Sequence, residues 1–156
     1  GGDMIREVSR EFVSYNDSPH KFEAGTPSIV EAIGFGVALE YLMKIGMADI
    51  QKHESKLKVY AEKEFENLDW LETQGNAPDK GAIFSFTMQG AAHAHDISTI
   101  VDRRGIAVRA GHHCAQPLME HLGLNATCRA SFGMYNSTEE IDQLTSSLEF
   151  AYELLG

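Results

Sequence analysis

The chain has 156 residues, 43% of them apolar and 23% charged, enough apolar material for a packed core of ordinary domain size. Its net charge of -10 argues against nucleic acid and acidic membrane surfaces as partners. No apolar run reaches the roughly 18–20 residues of a membrane span, and no signal peptide is visible.

In chain order, residues 1–25 show little periodicity and read as an extended arm or loop. They open Gly1-Gly2-Asp3-Met4-Ile5 with no initiator methionine, as an excised segment would. Thr26-Pro27-Ser28 then opens a helix. Ser28 and Glu31 have capping-box spacing, Ile29, Ile33, Val37 and Tyr41 recur at helical intervals, and Gly46 ends the run. Gly34 and Gly36 inside it cost about 1 kcal/mol each relative to alanine, so close packing against another element is expected there. A second helix is expected from Asp49 to Asn67, with Leu57, Tyr60, Ala61, Phe65 and Leu68 as its apolar positions.

Trp70 to Gln74 is a weak strand candidate, whereas Ala82 to Met88 alternates well, with Phe84, Phe86 and Met88 on one face. Ala94 to Arg104 returns to a helical pattern and stops at Gly105. Ile106 to Arg109 reads as a short strand, residues 116–122 as a short helix, and Thr127 to Phe132 as another strand. Ser137 and Glu140 repeat the capping-box spacing ahead of the most amphipathic helix, carried by Ile141, Leu144, Leu148, Ala151, Tyr152 and Leu155. The sum is an α/β sandwich, helices against a sheet of three or four strands.

The chemistry concentrates at Arg109-Ala110-Gly111-His112-His113-Cys114-Ala115-Gln116-Pro117. The thiolate is the reactive form of cysteine, and neighbouring cations or a helix N-terminus favour it. A polar, glycine-containing loop argues for an exposed nucleophile at Cys114 over a small packed core residue. The second cysteine, Cys128, alternates with Ala130 and Phe132 and reads as core. Both are expected to be reduced thiols in a cytoplasmic protein.

Zinc held by Cys114 with His112 and His113 is a minor alternative, because adjacent side chains diverge; His93 and His95 would have to complete the site. Arg129 shares a strand face with Thr127 and Ser131. It suits bidentate carboxylate recognition or is an ordinary surface arginine, and the residues alone do not choose. Thr26, ahead of a helix, reads locally as an N-cap rather than a phosphate ligand.

Four segments together resemble a known family: Gly-Gly-Asp-Met-Ile at 1–5, Phe-Glu-Ala-Gly-Thr-Pro at 22–27, Arg-Ala-Gly-His-His-Cys-Ala-Gln-Pro at 109–117 and Cys-Arg-Ala-Ser-Phe-Gly-Met-Tyr-Asn at 128–136. They look like the C-terminal part of a SufS-type cysteine desulfurase, a group that includes selenocysteine lyase activity and depends on pyridoxal 5'-phosphate. The resemblance implies the small C-terminal α/β domain of the aspartate-aminotransferase-like fold. Residues 1–27 would be a connecting arm from a large domain, and residues 28–156 the small domain.

It further implies conversion of L-cysteine (or L-selenocysteine) to L-alanine, with the sulfur left as a persulfide on Cys114. Arg129 would hold the substrate carboxylate, Arg109 would lie near the site, and Thr26 would reach the cofactor phosphate of the partner subunit in a homodimer. The persulfide would pass to an acceptor protein of iron–sulfur cluster assembly. The family's Schiff-base lysine lies in a Ser-x-His-Lys segment that would precede Gly1, and His20-Lys21 matches it only superficially. The 156 residues alone are therefore expected to bind no cofactor tightly and to be inactive. Alternatives of other classes are a stand-alone persulfide carrier and a zinc-binding Cys/His domain.

Overall fold

The computed structural model describes residues 2–90 and 93–155. The chain divides into two compact units, Gly1–Met47 and Ala48–Gly156.

In the first unit, the segment expected as an arm holds a hairpin. Strands β1 (Ile5–Val8) and β2 (Val13–Tyr15) pair antiparallel, with Val8 opposite Val13. Ser9 closes the turn, its hydroxyl accepting the Phe12 N–H at 3.0 Å. With three or four residues per strand, alternation in the sequence is too brief to announce a strand. A 3-10 turn follows at His20–Phe22. It places Lys21 Nζ 4.9 Å from the centre of the Phe22 ring, so the His-Lys pair lies in a turn. Gly2, at φ 59°, lies against the backbone of Gly25, where an added Cβ would come within 3.1 Å of the Gly25 nitrogen.

Helix α1 (Ile29–Ile45) forms where expected, with Gly46 as its C-cap. Two details differ. Ser28 occupies the N-cap position, but its ψ of 75° lies outside the extended region, and its side chain makes no capping hydrogen bond. The first turn is held by backbone bonds instead, Ile29 N–H to the Pro27 carbonyl and Ala32 N–H to the Ser28 carbonyl. Nor do Gly34 and Gly36 meet a close neighbour, since a Cβ at either would touch nothing within 4 Å among the described residues. Ile33, Phe35 and Val37 are exposed along this helix.

The second unit holds all but the first residue of α2 (Met47–Glu66) and builds a sheet from β3 (Leu71–Gln74), β4 (Ile83–Met88), β5 (Arg109–Gly111) and β6 (Thr127–Ser131). Helices α3 (Ala94–Asp102), α4 (Gln116–Leu122) and α5 (Thr138–Leu155) complete it. The sheet runs β3-β4-β6-β5 with every pair antiparallel. One strand lies later than its sequence pattern suggests. Residues 106–108 are not strand, because Ile106 N–H is taken by the Val101 carbonyl in the turn that ends α3. Pairing starts only at Arg109, which shortens the loop before Cys114.

Alternation decides the two sheet faces. Phe84, Phe86 and Met88 of β4 and Cys128 and Ala130 of β6 point to the core, which is closed by Leu57, Ala61 and Phe65 of α2, Ile97 and Val101 of α3, and Ile141, Leu144 and Leu148 of α5. Phe65 meets Phe84 edge-on at 5.2 Å. Each such side chain contributes about 1.5–3 kcal/mol by leaving water. The other face carries Ile83, Ser85, Arg129 and Ser131, so the unit has helices against one side of its sheet. Ahead of α5, Glu140 accepts the Ser137 N–H at 3.0 Å and a hydrogen bond from the Asn136 amide at 3.0 Å. These bonds hold its carboxyl below the usual carboxylate range.

Candidate active site

Register brings the cationic residues together. Antiparallel pairing sets Arg109 of β5 directly opposite Arg129 of β6, and Ser85 of β4 opposite Arg129 on its other side. Directly paired residues share a face, so both guanidinium stems rise from the face that the helices leave open. Two positions along, Gly111 stands opposite Thr127.

The chain leaves β5 at Gly111 with φ 130°, a value that glycine adopts freely. His113 and Cys114 then both take left-handed backbone, at φ 56° and 60°. Non-glycine residues held there cost on the order of 1–3 kcal/mol each and persist only where their surroundings over-determine them. Ala115 N–H closes the turn onto the His112 carbonyl at 2.9 Å. Pro117 stands in the first turn of α4, where a missing N–H costs nothing.

The two histidines separate. His112 is exposed, whereas the His113 ring turns in, with Nε2 2.9 Å from Thr127 Oγ1 and 3.1 Å from the Thr127 carbonyl oxygen. Thr127 is fully buried, although it lies on the polar face. Burial holds the His113 ring below the usual histidine value. Arg129, Arg109 and His112 push the same way, against the Thr127 hydrogen bond.

Cys114 is exposed and free, with its Sγ 3.7 Å from Arg109 Nη2. It opens on a depression of about 440 Å³ lined by Arg109, His112, His113 and Gln116 among others. A larger groove of about 710 Å³ runs beside Gln51, Val59 and Tyr60 of α2, but neither cysteine nor any histidine lines it. Cys128 is the opposite kind of thiol. It is fully buried and directed at the Ala94 carbonyl at 3.0 Å, and burial pushes it up to about 12.

Of the residues singled out in the sequence, Arg109 links the other two: its guanidinium lies beside Cys114, and its backbone pairs opposite Arg129. Thr26 is exposed in the loop before α1, in the first unit. His93 caps α3, its Nδ1 accepting the His95 N–H at 3.2 Å. Among the described residues, no group of three or more His, Cys, Asp or Glu could hold a metal ion, so zinc finds no donor set there. No helix among them is long and apolar enough to cross a membrane. The inward turn of His113 and the burial of Thr127 were not legible in the sequence. Alternation placed Thr127 beside Arg129, but nothing local told His113 from His112.

The chain as a whole is similar to known proteins. A probable cysteine desulfurase of Xylella fastidiosa strain Temecula1 is 44% identical over all of this chain, and the cysteine desulfurase of Haloferax volcanii is 45% identical over all of it. The chain spans 37% of the length of each. The crystal structure of the cysteine desulfurase CsdA from Escherichia coli, in an S-sulfonic acid form, superposes over the whole chain with a TM-score of 0.87 at 35% identity, this chain covering 38% of it. The model of the aminotransferase class-V family matches residues 1–144, nearly the full length and both units. On that match, and with a fold shared with cysteine desulfurases, the chain belongs to the aminotransferase class-V family.

Proposed function

We propose that this chain supplies the sulfur-accepting part of a cysteine desulfurase, whose whole protein converts L-cysteine to L-alanine and leaves the sulfur as a persulfide on Cys114. The observation that carries this reading is an exposed loop thiol 3.7 Å from the guanidinium of Arg109, which faces Arg129 across the β5–β6 pair.

Like charges directly opposite each other destabilise a sheet, and an anion between them relieves the cost. Arg129 offers its planar donors to the substrate carboxylate. Arg109 stands by the thiolate. In the transfer, a bond forms between Cys114 Sγ and the substrate sulfur while the substrate Cβ–S bond breaks. The electron pair of that bond goes to Cβ, which takes up a proton and becomes the methyl group of alanine. The sulfur then passes from Cys114 to an acceptor protein of iron–sulfur cluster assembly. L-Selenocysteine is the alternative substrate. Two free cysteines support a reducing, cytoplasmic setting.

The family implies pyridoxal 5'-phosphate. The described residues do not by themselves fit it, because their only buried polar or charged side chains are Thr127 and Ser147, with no buried lysine or carboxylate. Thr26 is the one candidate contact to its phosphate, given across a homodimer interface. The chain expressed alone is expected to release no alanine.

The test is alanine release from L-cysteine by the intact protein and by its Cys114→Ala variant. Activity lost in the variant with the protein still folded supports the reading. Equal activity in both overturns it, and persulfide uptake on Cys114 from an external donor, without any alanine from the intact protein, favours a carrier instead.

A further inference from the structure

We propose that His113 is a positioning residue, whose ring is anchored to Thr127 and thereby fixes where the loop presents the Cys114 thiol. The inference deepens the proposed desulfurase reading and rests on it.

The geometry of the anchor is specific. Thr127 belongs to β6 and stands opposite Gly111, so the loop is tied to the sheet at Gly111 by strand pairing and again at His113 by the ring. Nε2 lies 3.1 Å from the Thr127 carbonyl and 2.9 Å from its hydroxyl; a carbonyl oxygen only accepts, so in the tautomer that bonds the carbonyl Nε2 carries the ring proton. Nδ1 then keeps its lone pair, and it is buried without a hydrogen-bond partner among the described residues. A ring that gives up one acceptor to sit in this position is held by the other side.

The need for the anchor is visible in the backbone. Among the described residues, His113 and Cys114 are the non-glycine residues that take positive φ, and they are consecutive. Left to itself, such a pair relaxes toward negative φ. That relaxation re-aims the Cα–Cβ bond of Cys114 and carries its sulfur away from Arg109. Among the described residues, His113 makes no bond to that sulfur and acts through the loop, and the neighbouring His112, exposed in the same loop, makes no equivalent tie.

The experiment compares intact wild-type protein with His113→Ala and His113→Gln. Glutamine reaches about as far as histidine and keeps an N–H for the Thr127 oxygens. Two assays are run: the rate of Cys114 alkylation by iodoacetamide, followed by peptide mass spectrometry, and the steady-state kinetics of alanine release, which give kcat and KM. His113→Ala is expected to slow alkylation and to lower kcat by roughly ten- to a hundredfold, the scale of a misplaced reacting group, while KM for L-cysteine stays near wild type. His113→Gln is expected to restore most of both.

Alanine and glutamine variants that are equally impaired, or an alanine variant that alkylates and turns over normally, overturn the proposal. If His113→Ala does not fold, the wild-type protein decides: a histidine ring spectrum without an exchange-protected Nε2–H at His113 removes the anchor. Wild-type protein that releases no alanine overturns the desulfurase reading instead, and the alkylation rates still report on His113.

Discussion

Arg109 and Arg129 are direct cross-strand partners at the edge of the sheet, two guanidiniums rising from one face beside the Cys114 loop. Two cations in that register cost stability in the free protein and gain it when an anion binds, which ties the sheet's pairing to recognition of a carboxylate.

Arg129→Ala should therefore weaken use of L-cysteine, mainly through KM. A charged hydrogen bond contributes about 1.5–3 kcal/mol, so kcat/KM is expected to fall by about ten- to a hundredfold. Arg129→Lys should recover little of this, because an ammonium cannot give the same paired donors. Steady-state kinetics of alanine release check it; a variant with wild-type KM would place the carboxylate elsewhere.

Acid should loosen the Cys114 loop through His113. Its folded value lies below the ordinary 6.5, first because of burial and then because of Arg129, Arg109 and His112. The unfolded chain thus binds a proton more readily than the folded one, so this contribution is complete above about pH 6.5 and is lost as pH falls below it. Thermal melts of wild type against His113→Gln across that range should converge toward acid pH. Parallel curves would show that His113 is not the group responsible.

At the opposite end of the pH scale, Tyr60 donates to Asp142 at 2.6 Å, joining α2 to α5. That carboxylate, helped by desolvation, raises the phenol from 10.0 to about 12. The folded state here holds its proton longer than the unfolded one. The contribution is complete below about pH 10 and is lost as pH rises toward 12. Tyr60→Phe should remove this alkaline dependence, as measured by denaturant melts at graded pH; an unchanged slope would discount the bond.

Phe86 is fully buried at the centre of the core, beside Phe65 and opposite Cys128. Phe86→Ala is expected to cost about 3–5 kcal/mol, a large share of the stability of a whole domain. Denaturant unfolding should show a lower midpoint, and a change below about 1 kcal/mol would mean that the core closes over the gap.

Much of this protein is written locally. The helical spacing of Ile29 to Tyr41 and of Ile141 to Leu155 named α1 and α5, and the alternation of Phe84, Phe86 and Met88 named both β4 and its buried face. The same alternation sorted Cys128 from Arg129. The run from Arg109 to Pro117 marked Cys114 as the exposed thiol, because glycine, proline and adjacent cations are local properties of a loop. These signals depend on neighbours a few residues apart, and so the chain alone determines them.

Tertiary structure decided what depends on distant partners. It began β5 at Arg109 because the Val101 carbonyl took the Ile106 N–H, made a hairpin of strands too short to alternate visibly, and left Ser28 without its capping bond. It chose His113 over His112 by placing Thr127 where only one ring reaches it. Pairing across 20 residues set Arg109 against Arg129. Hydrogen bonds and burial between segments far apart in sequence have no local signature, and they are what turn an exposed cysteine into a positioned one.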